Sequence, residues 1–583
     1  MEDSRQQRKH VSCDSMTQSI LHVIKRNCGA FDIEPKSILV QKRQKSLKDG
    51  DFCVPKGCFK INEEEFLHLK EKLMEESKPW TCPVKKVTSD PYNSLLISLD
   101  RSLTYKSVIS SLLKSEVPCA KVSKNEIEND TQKWNDSKPL ERTVLVHVPD
   151  CGDCKTLEQL RGLVLTQHVI NLLHANGLKT KLSLLNSDAD TQKWQELLNF
   201  NFDYVLRREE KCDFENILDR ARHSEYRLSH KKSNEEDHSL LHTETTSESD
   251  HNTADVKKLD KLVLDAEKYL ASTSTDSGVY DKNLGKVHFT EKGGITDTLI
   301  QMSHLQTCIE QMDKCDCVLH IVPDKKGFQQ QKIDLGLQML VEGMPKQVHM
   351  LYGSVTERKS AATQKLNTEE FYSLRFGQMK EASVMKYGEC VKGPGWNKTI
   401  ENLTVASMKF ELLLNVPRNI VKLDLSEGND FGGGVDNRAG AFVMYNCARL
   451  ATLFKHFNKA VDDGTYPPLP SMDCIDFSLL REEDEWSLFF HYILPFHDVV
   501  RSTVTELLPS KGIYTKLGTH KICNYLIGLS RSLSSYYSHT HVLVENRPNL
   551  LPTMYARLYL LKALHFVMTE GLHLLGVTPA TQL

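Results

Sequence analysis

The 583-residue chain has no run of eighteen consecutive apolar residues, the length an α-helix needs to cross a bilayer, and its opening MEDSRQQRKH is charged where a secretory leader would be apolar. These two absences lead to the expectation of a cytoplasmic protein with no membrane attachment. An excess of either charge is also missing: 74 Lys and Arg stand against 77 Asp and Glu, for a formal net charge of -3 and a pI near 6.8. No global field draws such a chain onto nucleic acid or an acidic membrane, so binding of that kind has to be local. The sixteen cysteines lack the dense, regular spacing of a small secreted scaffold, which favours reduced thiols. CGDC (Cys151 to Cys154) and CDC (Cys315 to Cys317) would supply four thiolates to a tetrahedral zinc if the fold pooled them. Their spacings form no recognised pair, free thiols are the alternative, and no metal or cofactor is assigned. A glycine-rich nucleotide loop is lacking too. KGPGWNK (Lys392 to Lys398) has neither Walker spacing nor a preceding apolar strand and reads as a turn. His147 and Asp150 bracket a strand end, the place where α/β folds bind ligands, but no nucleophile with a paired base lies near them. His147 reads as a satisfied structural histidine.

What is present is organised by composition. A chain of this length holds about three or four packed units. Cys119 to Arg142 is polar and breaks the periodicity that follows the helical stretch Tyr105 to Leu113, so 119–142 reads as a linker. Glu225 to Lys258 is rich in Ser, His, Glu, Asp and Thr and too poor in apolar residues to offset its ordering entropy, so 225–258 reads as a disordered insertion. Between the breaks, strands and helices alternate: TVLVHV (Thr143 to Val148), a helix from Lys155 to Gly177, KTKLSLL, CVLHIVP (Cys317 to Pro323), a helix from Phe328 to Glu342, and QVHMLYG (Gln347 to Gly353). That pattern predicts a parallel α/β sheet. From Thr399 onward the pattern reads as wholly helical. The expected units are 1–118, a small α/β domain; 143–415, a sheet domain interrupted by the insertion; and 416–583, a helical bundle.

One helical stretch has an oddity. In YNCARLATLF (Tyr445 to Phe454) and its flanks, Phe442, Leu450, Leu453 and Phe457 form an apolar stripe, with Tyr445 and Arg449 one turn apart on its shoulder. Asn446 falls inside the stripe and needs a buried hydrogen-bond partner. From Val499 to Leu583 the basic residues Arg501, Lys511, Lys516, Lys521, Arg531, Arg547, Arg557 and Lys562 face only Glu506, Glu545 and Glu570, while REEDE (Arg481 to Glu485) just upstream is acidic. Tyr514, Tyr525, Tyr536, Tyr537, Tyr555 and Tyr559 are interleaved with these cations. Splayed RNA bases stack on such rings while lysines meet phosphates. Tyr536 and Tyr537 continue the Leu526, Leu529, Leu533 stripe and read as core, with Lys521 and Arg531 on the other face as contact residues.

These blocks resemble arginyl-tRNA synthetase over nearly the whole chain, and in particular the DALR anticodon-binding-domain-containing relatives of that enzyme. ILVQKRQKSLKDGDFCVP is similar to the enzyme's small N-terminal domain, with a strand before a Gly-Asp-aromatic signature. KTLEQLRGLVLTQHVINLLHANG resembles the helix that opens with the two-histidine ATP motif. YNCARL matches the family's Tyr-x-x-Ala-Arg pattern, and NYLIGLSRSLSSYYSHTHVL and ARLYLLKALHFVMTEGLHLLGVTP resemble its last helices. The resemblance implies a class I synthetase-like parallel sheet followed by a DALR helical bundle. The departures fall on chemistry. Glu158 and Gln159 stand where the imidazoles belong, Arg161 survives as a helix-surface or scaffold residue, and LYGSVTERKSAATQ (Leu351 to Gln364) carries Arg358, Lys359 and Ser360 at a displaced spacing. A glutamate there repels a triphosphate. The resemblance, so altered, implies a non-catalytic binder of arginine-accepting tRNA, touching it through Tyr445, Arg449, Lys516, Lys521, Arg531, Arg547 and Arg557. A structural Arg449, its stem lying along the stripe, is an equal alternative. The partner so implied is a tRNA-modification enzyme, specifically a methyltransferase acting on an anticodon-loop cytidine. An active synthetase and a non-RNA assembly scaffold are the competing readings.

Overall fold

A computed structural model describes residues 12–28, 39–55, 63–91, 94–114, 142–149, 154–184, 189–200, 214–228, 261–272, 279–291, 294–357, 366–388, 391–425 and 439–581. The expected linker, apart from Arg142, lies outside them, as do Cys151, Asp150, Arg358, Lys359, Ser360 and most of the expected insertion.

The first unit contains α1 (Cys13–Cys28), β1 (Gln41–Lys42), β2 (Phe52–Val54), α2 (Glu63–Glu76), β3 (Val84–Ser89), β4 (Leu95–Leu99) and α3 (Arg101–Lys114). Its antiparallel sheet runs β1-β2-β4-β3. Asp51, of the Gly-Asp-aromatic signature, is buried and accepts the Leu99 N–H at 2.8 Å and the Trp486 indole N–H at 2.7 Å. Burial pushes its carboxyl up to about 6. One carboxylate thereby ties the first unit to the last.

The second unit is built on four parallel strands in the order β12-β11-β5-β6. In chain order it holds β5 (Thr143–Val148), α4 (Leu157–Ala175), β6 (Lys179–Leu184), α5 (Ala189–Leu197), α6 (Phe214–His223), β7 (Val263–Asp265), α7 (Ala266–Ser272), β8 (Lys286–His288), β9 (Thr290–Glu291), β10 (Gly294–Ile295), α8 (Asp297–Glu310), β11 (Cys317–Pro323), α9 (Gly327–Leu340), β12 (Lys346–Tyr352) and β13 (Val355–Glu357). Every residue of β11 is buried, as a central parallel strand covered on both faces requires. Val144, Val146 and Val148 join the core that contains α4, whereas Leu145 and Val318 join a second core with α6, α8 and α9. The first residues of the expected insertion, Glu225 to Leu228, are ordered beside β7: Asp265 and Leu228 donate backbone N–H groups to Tyr226 and Val263 respectively.

Strand register sets His147, His320 and His349 side by side on the face covered by α8 and α9, all fully buried. Gln330 donates to His320 Nδ1 at 3.2 Å, so His320 donates through Nε2 to Gln347 at 2.8 Å. His147 Nδ1 lies 2.9 Å from His320 Nδ1, and its Nε2 has no hydrogen-bond partner among the described residues. Burial lowers the His147 imidazole to about 3 and holds His320 well below its ordinary value. His349 Nε2 lies 3.2 Å from the buried Asp334 carboxylate. His147 is thus buried within the sheet, but it is not the satisfied histidine expected from the sequence, because register sets it among other imidazoles and its Nε2 finds no partner among the described residues.

The elements that follow in the chain are α10 (Thr368–Tyr387) and α11 (Pro394–Leu413), within the expected 143–415 unit, and then, in the last unit, β14 (Val421–Leu423), α12 (Ala439–Asp462), α13 (Glu483–Leu488), α14 (Phe496–Ser502), α15 (His520–His539) and α16 (Leu551–Leu574). Two expectations are corrected here. The region after Thr399 is not wholly helical, because β14 returns to pair in parallel with β13. KGPGWNK is a turn only to Gly393 (φ 95°), after which Pro394 opens α11 from the first helical turn, where its missing N–H costs nothing. Arg375 of α10 grips Glu411 of α11 through two hydrogen bonds, at 2.9 and 2.7 Å, with both side chains buried. A Cβ on Gly440 would stand 2.6 Å from the Ala406 carbonyl, so α12 crosses α11 with backbone against backbone. α16 packs among α3, α4, α12 and α15.

Candidate nucleic-acid interface

The inner face of α12 buries Val443, Met444, Cys447, Leu450, Leu453 and Phe457. Its outer edge carries Tyr445, Arg449, Thr452 and His456, spaced i, i+4, i+7, i+11, which is one straight row on a helix. This row forms one wall of a cleft of about 600 Å³. The opposing wall is Tyr537 at the end of α15 with Thr540, His541, Val542 and Leu543 after it, and the end of α10 closes the cleft with Lys386 and Tyr387. None of the lining residues is acidic.

Cations and rings are interleaved in this space. The Arg449 guanidinium lies 4.9 Å from the centroid of Tyr445 and 5.0 Å from that of Tyr537, and donates to the Tyr445 hydroxyl at 3.2 Å. The Lys386 ammonium sits 3.6 Å from the Tyr445 centroid, and Tyr387 packs on Trp396 at 5.3 Å. The Arg449 hydrogen bond, with the charges of Arg449 and Lys386, draws the Tyr445 phenol below its ordinary value. Such a surface offers stacking faces for bases and, for phosphates, cations that no carboxylate neutralises among the described residues. Asn446, behind the row, donates to the Phe442 carbonyl at 2.9 Å, but its Oδ1 has no partner among the described residues.

The other sequence-derived contact residues do not gather here. Lys521 is half-buried and gives its ammonium to the carbonyl and hydroxyl of Ser502, at 2.7 and 3.1 Å. It braces α14 to α15. Arg557 pairs at 2.8 Å with Glu485, which is fully buried and also takes the Tyr536 hydroxyl at 3.3 Å. Arg547 pairs with neighbouring Glu545 on the open surface. Lys516 and Arg531 are exposed. Lys521 lies sixteen residues before Tyr537, about 24 Å along α15, so the cations at its start and the cleft at its end are separate places.

Tyr536 is core, as expected, but Tyr537 is corrected: it is half-buried and faces the cleft, because the helix turns 100° between the two. Tyr525 and Tyr559 spend their hydroxyls on the Tyr492 and Pro470 carbonyls, at 2.6 and 2.7 Å. Sequence reasoning missed Lys386, Tyr387, His456 and His541. The row from Tyr445 could have been extended to His456, whereas Lys386 reaches the site only through the packing of α10, α11 and α12.

The crevice at the carboxyl ends of β5 and β11 is furnished differently. The α4 N-terminus is closed by a capping box in which Thr156 accepts the Gln159 N–H at 3.2 Å and Gln159 accepts the Thr156 N–H at 3.0 Å. Glu158 beside it pairs with Lys325. Arg161 is fully buried and donates to the Gly353 and Asn419 carbonyls, so it is scaffold and not helix surface. Among the described residues no group of three or more His, Cys, Asp or Glu is arranged to hold a metal, and no helix is long and apolar enough to cross a membrane.

Residues 443–583 match the family model for the DALR anticodon binding domain. The chain is 41% identical over 271 residues to DALR anticodon-binding domain-containing protein 3 of Mus musculus, covering 46% of this chain and 49% of that one. It is 42% identical over 220 residues to the protein of the same name from Danio rerio, covering 37% and 39%. The chain thus spans about half the length, or less, of the curated relatives it matches. Among solved structures, the arginyl-tRNA synthetase of Plasmodium falciparum superposes with a TM-score of 0.63 at 13% identity, over 99% of this chain and 100% of that one. The Thermus thermophilus enzyme does so with a TM-score of 0.59 at 14% identity, over 97% and 100%. The chain thus joins a segment, 443–583, that matches the DALR anticodon binding domain to the overall fold seen in arginyl-tRNA synthetases.

Proposed function

We propose that the chain is a non-catalytic tRNA-binding protein that selects arginine tRNAs through its DALR domain and presents them, in the cytoplasm, to a tRNA-modification enzyme. The partner that fits this role is a methyltransferase forming 3-methylcytidine in the anticodon loop. The observation that carries the reading is the acid-free cleft between α10, α12 and α15, where Lys386 and Arg449 stand among Tyr387, Tyr445 and Tyr537. Phosphate contacts made there fix position, and bases splayed onto the rings supply selectivity. The absence of catalysis is argued from the other end of the molecule. At the α4 N-terminus, side chains already cap the helix, and Glu158 places a negative charge where a synthetase gathers triphosphate.

Retention of total tRNA on the full chain at physiological salt, followed by sequencing of the bound pool, tests the selection. Arginine isoacceptors are expected to dominate, and a bound pool that mirrors the input would overturn it. ATP–pyrophosphate exchange with arginine and tRNA tests the second half. Exchange above background would return the chain to the arginine–tRNA ligases. Depleting the chain from cells is expected to lower anticodon-loop methylation on arginine tRNAs alone, and equal loss on all tRNAs sinks the presenting role.

A further inference from the structure

The Tyr445 ring is the platform a stacked base would use, and it already has an occupant. The Lys386 ammonium stands 3.6 Å from the ring centroid, close to the separation of about 3.5–4 Å at which a base would lie. Base and ammonium compete for the same volume. Arg449 is held in place by contacts with two rings and by a helix whose other face is core. Lys386 also meets two rings, Tyr445 and, at 5.0 Å, its neighbour Tyr387, and hydrogen-bonds the Tyr445 side chain, but it is exposed on the last turn of α10, just before Gly388 ends that helix at φ 65°, and among the described residues no carboxylate pairs with it.

We propose that Lys386 is a built-in cover for Tyr445, removed when a nucleotide phosphate takes its ammonium, so that the cleft accepts a base only together with its backbone phosphate. This rests on the tRNA reading and adds to it a rule of admission. A cation over an exposed tyrosine face is worth about a two- to fivefold change in an equilibrium constant, which an uncharged planar molecule has to overcome unaided. A nucleotide exchanges that contact for an ion pair and loses little. Free nucleosides and other neutral ring compounds are therefore kept out of a site built from rings.

The test uses the full chain and two probes: a seven-nucleotide RNA of arginine-tRNA anticodon-loop sequence, and the same bases on an uncharged morpholino backbone. The wild-type chain should bind the RNA and bind the morpholino poorly. In Lys386→Met, which keeps an unbranched stem at an exposed position, morpholino binding should rise about two- to fivefold. RNA binding should lose about 0.7 of a unit of salt slope, the share of one single-strand phosphate contact. Lys386→Arg should keep the wild-type order of the two probes. Morpholino binding that is unchanged or weaker in Lys386→Met overturns the cover while leaving RNA binding by the cleft intact. A wild-type chain that binds neither probe overturns the tRNA reading itself.

Discussion

Replacing Arg449 by Ala removes a guanidinium from between two rings without touching the apolar face behind it. Its contacts are Tyr445 and Tyr537, both on the cleft, and no carboxylate among the described residues depends on it. Arg449→Ala is therefore expected to weaken tRNA binding by roughly 1–2 kcal/mol and to lower the preference for arginine tRNAs, with the melting temperature nearly unchanged. A fall in melting temperature with the preference intact would make Arg449 structural. Lys521→Ala should do the reverse. It frees the Ser502 carbonyl and costs stability by about 1 kcal/mol, while the salt slope of RNA binding stays where it was. Both residues read as basic in the sequence, and Lys521 even falls on the outer face of its helix. What separates them is a carbonyl nineteen residues away, which no helical period reveals. Arg557 is a second case, since the glutamate it meets is supplied by α13.

At the scale of elements, the row of histidines across β5, β11 and β12 has a consequence for acid stability. Burial holds His147, His304 and His320 below their unfolded value of about 6.5. A base lowered in this way contributes stability that is complete above about pH 6.5 and is lost as pH falls toward its folded value, about 3 for His147. Asp51 acts with the opposite sign, because its carboxyl is raised to about 6 and its share is lost as pH rises. The informative quantity is thus the difference between variant and wild type. His147→Leu removes one proton-linked group and an unpartnered Nε2, and leaves His320 Nδ1 with its Gln330 donor. Its acid limb should be flatter by up to one proton, about 1.4 kcal/mol per pH unit, with little change at pH 7.5. Thermal melts from pH 4 to 7.5 measure this, and parallel curves for the two chains would remove His147 from the account. The elements themselves were largely legible. β11 was read at the bounds it has, α4 and α9 within two residues, because continuous apolar runs and turn residues mark them locally. β14 was not, because three residues paired with a distant partner leave no period to read. The alignment of the three histidines was equally hidden, since it depends on parallel register between strands far apart in sequence.

For the molecule as a whole, the question is whether the DALR domain is a detachable module. Its matched span begins at residue 443, inside α12. Yet one continuous core runs from α1 and the first sheet, through α4, to α16. Polar contacts cross the same boundaries. Asp51 takes the Trp486 indole, and the buried His168 of α4 meets the carbonyls of Leu574 and Thr519 at 2.7 and 3.0 Å. The buried Lys409 of α11 reaches Gln167, Leu198 and the Gly576 carbonyl, while the 513–515 segment hydrogen-bonds to His349 at the edge of β12. Cutting the chain before α12 would uncover the sides of α16 that pack on α3 and α4 and leave several of these groups without partners. A fragment spanning 439–583 should therefore be aggregation-prone and fail to protect α16 from proteolysis. The full chain should bury α16 and melt the first and last units in one transition. A soluble fragment with native helicity that retains arginine tRNAs would show instead that the domain stands alone. In that case the synthetase-like body would be free to serve some purpose other than holding the cleft in shape.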